Sequence, residues 1–268
     1  MQYPFSVLLS VVIITHNEEA NIGRTLASVQ PLVADGRGEI IVVDSGSTDG
    51  TVEIAKALGA RVFAEEWKGY APQKNSAIDK ASGEWILSLD ADEELEPALA
   101  AEINKMLTVG AAAAGYWIPR KNQFLRRWVK HGGFWPDPKM RLFKNGAALF
   151  EDRAVHEDAH LVKGVSGQLK GAIVHHSYPT LFDYIDHMNR YSTLGAEMAV
   201  AKGNVRFSAF NIVLRPAATF IYNYFFRLGF LDGREGLLLH LYHAVYVSWK
   251  YAKAWELSRK KASASQKL

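Results

Sequence analysis

Trp85-Ile86-Leu87-Ser88-Leu89-Asp90-Ala91-Asp92-Glu93-Glu94 is an apolar run of strand length that ends on two carboxylates. Pro97 follows three residues later, well placed for the first turn of a helix. The pattern predicts a strand with Asp90 and Asp92 at its mouth. Like charges that close raise one another's pKa unless something neutralises them. A divalent cation bridging to a diphosphate would do so, and hard oxygen ligands suit Mg²⁺ or Mn²⁺. The plainer use of the same residues is a turn in which Asp90 caps the next helix and Asp92 is solvated.

Upstream, the same unit recurs. Leu8–Thr15 is continuous in Val and Ile, as in a central parallel strand covered on both faces. A helix is expected over Ala20–Leu32, a strand over Glu39–Asp44 and a helix over Thr51–Leu58 capped by Thr48 or Asp49. Ala60–Ala64 reads as a third strand, Tyr70–Ala81 as a helix with Gly83 as its C-cap, and Glu84–Leu89 as the fourth strand. This alternation over residues 8–107 predicts an α/β fold with a mostly parallel central sheet flanked by helices. Ligands of such sheets bind beyond the carboxyl ends of the strands. The polar residues there are Thr15, Asn17 and Glu18, then Asp44 and Ser45, then Asp90 and Asp92. Each could serve as a helix cap, but together they favour a nucleotide pocket. Neither Gly-x-Gly-x-x-Gly nor a Walker loop is present, which argues against a dehydrogenase or a P-loop protein.

The 268 residues are 49% hydrophobic and 22% charged, enough for one large domain with an appendage. Cysteine is absent, which excludes disulfides, thiolate nucleophiles and cysteine metal sites. A net charge of +3 is too small to indicate nucleic-acid binding. Val7–Ile14 lacks a basic flank and a cleavage site, so it reads as a buried strand. No stretch has the roughly 18 apolar residues of a spanning helix. The expected location is cytoplasmic, peripheral on the inner membrane.

Three segments carry a resemblance. Val11–Glu19, Ile41–Thr51 and Leu87–Glu93 resemble, in order, spacing and strand context, the three signatures of family 2 glycosyltransferases. The resemblance implies a GT-A fold, a nucleotide diphosphate sugar donor and an inverting reaction. It implies that Thr15, Glu18 and Asp44 hold the base and ribose, that Lys74 is a basic donor contact, and that Asp90, with Ala91 beside it, meets the ribose or a metal-bound water. Asp92 would ligate the metal. A metal with a lysine offsets the charge that develops on a diphosphate leaving group.

Gly115–Pro119 and Lys139–Phe143 read as strands, with a basic, aromatic stretch at Arg120–Lys130 and a loop over residues 132–137 between them. Arg141 is placed to reach an anion, although it shares with Arg126, Arg127 and Lys130 the alternative of a solvated basic face. Trp128 and Trp135 fit a sugar platform or a core equally. An inverting transfer needs one carboxylate at the attacking hydroxyl. Candidates are Asp152 and Glu157. Val155-His156-Glu157 resembles the Val-His-Glu of the lipopolysaccharide-core branch of the family, which places the base on Glu157 with Asp152 in reserve. Ile173–Tyr178 ends a strand with two imidazoles, which more often serve structure but can bind Mn²⁺ when neutral. The resemblance to the GT-A pattern, which often has a histidine here, implies His175 rather than His176 as a ligand to the metal.

Leu181–Lys202 reads as an amphipathic helix with Tyr184, Met188 and Tyr191 on one stripe. Phe207–Trp255 is dense in aromatic residues beside Arg215, Arg227, Lys250 and Lys253, and ends in a basic tail. That composition fits helices lying on an anionic leaflet, or equally a hydrophobic helical hairpin that packs on the domain or forms a homo-oligomer interface. The expected division is a catalytic domain over residues 1–205, with a nucleotide-binding half over 1–107 and an acceptor-side half over 108–205, and a helical extension over 206–268. The reading is a Mn²⁺- or Mg²⁺-dependent transferase that uses a nucleotide diphosphate sugar, a UDP-sugar favoured, and a lipopolysaccharide-core or other lipid-linked acceptor. The alternatives are a nucleotidyltransferase and a silent membrane scaffold.

Overall fold

The computed structural model describes residues 7–151, 158–203 and 205–265. They form two compact units, one drawn from Met1–Lys121 and Asp137–His175, the other from Asn122–Pro136 and His176–Leu268.

The first unit begins β1 (Leu9–Thr15), α1 (Ile22–Val33), β2 (Gly38–Asp44), α2 (Thr51–Ala57), β3 (Arg61–Ala64), α3 (Tyr70–Asp79) and β4 (Trp85–Asp90). Next come β5 (Glu93–Leu95), α4 (Pro97–Val109), β6 (Gly115–Ile118) and β7 (Arg120–Phe124), the last running on into the second unit, where β8 (Arg127–Trp128) follows. The first unit resumes with β9 (Lys139–Lys144), β10 (Ala148–Phe150), β11 (Ala159–Leu161), β12 (Ser166–Gln168) and the start of β13 (Ile173–Tyr178). Seven strands form its sheet in the order β12-β6-β9-β4-β1-β2-β3. The four expected strands are parallel neighbours, and β9 adds antiparallel to β4.

Every residue of β1 is buried because both faces of the sheet are covered. Leu9, Val11 and Ile13 face a layer with Ile22, Leu26 and Val29 of α1 and Leu99 and Ile103 of α4, while Val12 and Ile14 pack with Ala71 and Ala77 of α3. Each such aliphatic side chain contributes about 1.5–3 kcal/mol of burial. This two-layer core fixes β1 and β4 side by side, so the mouths of both strands open together.

Three local expectations change. Gly83 is not a cap: α3 ends at Asp79 with Lys80 as C-cap, and a Cβ on Gly83 would stand 2.6 Å from the Ser10 backbone nitrogen. Glycine is needed there for close approach to β1. The acidic run does not pass straight into a helix, because Glu93–Leu95 first forms β5, antiparallel to β13, with His175 opposite Glu93. Pro97 then opens α4 as expected. The N-cap position of α2 is Gly50, although Asp49 Oδ1 does accept from the Thr51 backbone N–H at 3.1 Å.

In the second unit, Gln123 and Phe124 of β7 pair with Trp128 and Arg127 of β8 around Leu125 and Arg126, both at positive φ, as a two-residue hairpin turn requires. Phe124, Val129, Tyr184 and Leu239 form its core, so Tyr184 does mark the buried stripe of the helix α5 (Leu181–Ala201). Thr180 and Asp183 cap that helix reciprocally. The helices α6 (Arg215–Ile221) and α7 (Gly233–Ser265) complete the unit. Among the described residues no helix is long and apolar enough to cross a membrane.

Candidate active site

The loops after β1 and β2 are stitched together. Asn17 donates its backbone N–H to Ser47 Oγ at 2.8 Å, and its side-chain oxygen accepts from the Thr48 N–H at 2.8 Å. The Glu18 N–H donates to Thr51 Oγ1 at 2.7 Å. Asp44, 3% exposed, accepts from the N–H groups of Gly46 and Ser47, both at 2.9 Å, and from the Ser47 hydroxyl. The polar strand ends thus form one rigid edge. Within it, Thr15 Oγ1 and Ser45 Oγ are buried with no hydrogen-bond partner among the described residues, as are both amide atoms of Gln73 on α3. Unpartnered buried polar atoms are costly, so such a cluster is the mark of a place a ligand completes.

At the mouth of β4 the two aspartates differ. Asp90 Oδ1 lies 2.6 Å from Lys74 Nζ, and its Oδ2 lies 2.5 Å from Arg141 Nη2. Burial would raise the Asp90 pKa, but these two cations hold it well below the carboxylate range. Arg141 also meets Glu93 Oε1 at 2.7 Å, and the same charges raise its own pKa against burial. The anion that Arg141 reaches is therefore on the protein itself. Lys74 Nζ also lies 5.1 Å from the centre of the Phe150 ring.

Asp92 Oδ2 instead faces His175 Nε2 at 3.2 Å, an ion pair when the ring is protonated. Burial works to raise the Asp92 pKa, and His175 overrides it, so the carboxylate is depressed. Glu18 has the opposite balance: burial raises its pKa against the hydrogen bond from Asn21, and Asp92, Asp49 and Asp90 add to the rise. The backbone carbonyl of Ala91, between the two aspartates, accepts from Thr25 Oγ1 at 2.6 Å and so pins the turn to α1.

The structure therefore brings Asp92 and His175 together and gives both oxygens of Asp90 to cations. A carboxylate beside an imidazole could hold a divalent cation such as Mn²⁺. Among the described residues, no three acidic or imidazole groups make a closed cage. Both candidates for the base, Asp152 and Glu157, lie outside the described residues. Sequence reasoning passed over Glu93, Arg120 and Gln73. Glu93 looked like one more charge in an acidic run, and only its position opposite His175 marks it as buried.

The mostly parallel sheet, with acidic and orphaned polar groups at its strand ends, is of GT-A type, and solved structures agree on the fold. A mannosyltransferase of Pyrobaculum calidifontis, in complex with GDP-Man and Mn²⁺, aligns over 92% of this chain and 86% of its own with a TM-score of 0.56 at 16% identity. The TarS 1–349 structure of S. aureus with UDP aligns over 95% of this chain and 92% of its own, with a TM-score of 0.50 at 18% identity. Residues 10–163 match glycosyl transferase family 2. An uncharacterised glycosyltransferase of Rickettsia typhi is 33% identical over 94% of this chain and 88% of its own length. The lipopolysaccharide core biosynthesis glycosyltransferase LpsC of Rhizobium meliloti is 29% identical over 95% of this chain and 94% of its own. The chain belongs to glycosyl transferase family 2 and is a glycosyltransferase.

Proposed function

We propose that this glycosyltransferase is a metal-dependent, inverting enzyme that moves a sugar from a nucleotide diphosphate sugar, a UDP-sugar favoured, to a lipopolysaccharide-core or other lipid-linked glycan. The observation that carries this reading is the pairing of Asp92 with His175 at the mouth of β4, beside the unpartnered Thr15 and Ser45 hydroxyls. Asp92 and His175 hold Mn²⁺ or Mg²⁺, which when bound offsets charge on the departing diphosphate. Thr15, Asn17, Glu18, Asp44 and Ser45 line the base and ribose. Lys74 and Arg141 orient Asp90, whose fixed charge faces the ribose side of the donor. Glu157 removes the proton of the acceptor hydroxyl, with Asp152 next in line.

The acceptor class is supported by the near full-length similarity to LpsC. A peripheral contact with an anionic inner-membrane leaflet is supported by surface chemistry. Thirteen of the twenty-one exposed large apolar side chains among the described residues fall between Phe207 and Leu241, next to exposed Arg215, Arg227 and Arg234. Apolar side chains flanked by cations suit a helix lying in such an interface. In this reading residues 1–205 carry catalysis and 206–268 carry the contact with lipid or a second copy of the chain.

Calorimetric titration with UDP, GDP, ADP and CMP, with and without Mn²⁺, tests the reading. Tight, Mn²⁺-dependent binding of one diphosphate is expected. Folded protein that binds none of them would overturn it.

A further inference from the structure

Beyond Asp90 the ion pairs do not stop. Arg141 Nη2 lies 2.7 Å from Glu93 Oε1, and the same oxygen lies 3.2 Å from Arg120 Nη1. Arg120 then grips Asp137 Oδ2 through Nε at 3.0 Å and Nη2 at 2.8 Å. Asp137 Oδ1 lies 3.8 Å from Lys139 Nζ, which lies 3.1 Å from Asp158 Oδ1. From Lys74 to Asp158 eight groups alternate in sign. They join α3, β4, β5, β7 and β9 to the residue that follows Glu157 in the chain.

Glu93 is the hinge of this series. It is 0% exposed, its Oε1 is shared by two guanidinium groups, and its Oε2 accepts from the backbone N–H of Asp90 at 3.1 Å. A buried carboxylate is tolerated only where every lone pair is answered. Its place is therefore dictated by Arg141, Arg120 and the Asp90 backbone together, and it keeps two like charges from repelling across the mouth of β4.

We propose that Glu93 and Arg120 are positioning residues: Glu93 sets the donor-side carboxylate Asp90 through Arg141, and Arg120 ties that setting to Asp137, Lys139 and Asp158. Nucleotide bound at the strand mouths would thereby steady the start of β11. This inference rests on the function proposed above.

The test compares wild type, Glu93→Gln, Glu93→Asp and Arg120→Gln by calorimetry with UDP and Mn²⁺, with GDP as the probe if the wild type prefers it. Amide hydrogen exchange of residues 159–161 is followed with and without the same probe. Glu93→Gln is expected to weaken the probe at least tenfold with the binding stoichiometry unchanged. Glu93→Asp, which keeps the charge, serves if the amide fails to fold, with a smaller loss. Arg120→Gln is expected to weaken the probe less than Glu93→Gln, because Arg141 and the Asp90 N–H still hold Glu93, and at saturating probe to lose the probe-dependent slowing of exchange at 159–161. A purely structural role would lower the stoichiometry and leave the Kd of the folded fraction alone. That result, or equal slowing of exchange in wild type and Arg120→Gln, would overturn the inference alone. A wild type that binds no diphosphate removes the parent function, and this inference with it.

Discussion

His175 reaches Asp92 because β13 runs antiparallel to β5, which sets His175 opposite Glu93, next in the chain to the aspartate. The two side chains meet at 3.2 Å although they are distant in sequence. Asp92→Ala is expected to abolish the Mn²⁺-dependent part of UDP binding, and His175→Gln to weaken it at least tenfold. Calorimetry at matched Mn²⁺ concentrations decides, and unchanged affinity in Asp92→Ala would remove the assignment.

The base assignment separates binding from chemistry. Glu157→Gln should bind UDP as the wild type does while transfer falls about 10²- to 10⁴-fold, the usual contribution of a general base. If Asp152→Asn produces that loss and Glu157→Gln does not, the base is Asp152.

A histidine in the second unit gives a pH signature of folding. His240 is 1% exposed, neither ring nitrogen has a partner among the described residues, and burial, helped by His243, lowers its pKa to about 4. Its ordinary value is about 6.5. Above 6.5 both folded and unfolded chains hold it neutral. As pH falls from 6.5 toward 4, only the unfolded chain takes up the proton, so the folded state loses stability by no more than about 3 kcal/mol. Urea unfolding of the wild type at pH 7 and pH 4.5 should show a drop that shrinks in His240→Gln. An equal drop in the variant would mean that other groups carry it.

The membrane reading predicts that exposed aromatic residues govern binding to lipid. Phe226 is 75% exposed and Phe210 60%. Replacing both with serine should reduce cosedimentation with anionic vesicles at least fivefold without altering thermal stability or UDP affinity. Undiminished cosedimentation would direct attention to the subunit interface instead.

Much of the parallel sheet was legible in the sequence because its information is local. Unbroken Val and Ile in β1 and β2, and polar residues one step beyond them, need only a covered parallel sheet to acquire meaning. The structure keeps Thr15, Asp44 and the two aspartates at those strand mouths. What escaped is set by distant pairing. Arg120 stood in a merely basic stretch, and nothing near it announces Glu93 as its partner. Nor does Lys139–Phe143 reveal from composition that β9 adds antiparallel to β4, although that addition carries Arg141 to Asp90. Gly83 misled because glycine serves both helix ends and tight crossings, and only the Ser10 backbone behind it distinguishes them.

The pairing of β5 with β13 also orders events during synthesis. A ribosome releases β1 to β4, and with them Asp92, long before it reaches Ile173–His175. A nascent chain stopped at residue 170 would hold β1 to β4 and Asp92 but not His175, its partner in the proposed cation pair. If the proposed cation pair is what transfer requires, that capacity arrives as a late, single event, when the returning strand closes against Glu93–Leu95.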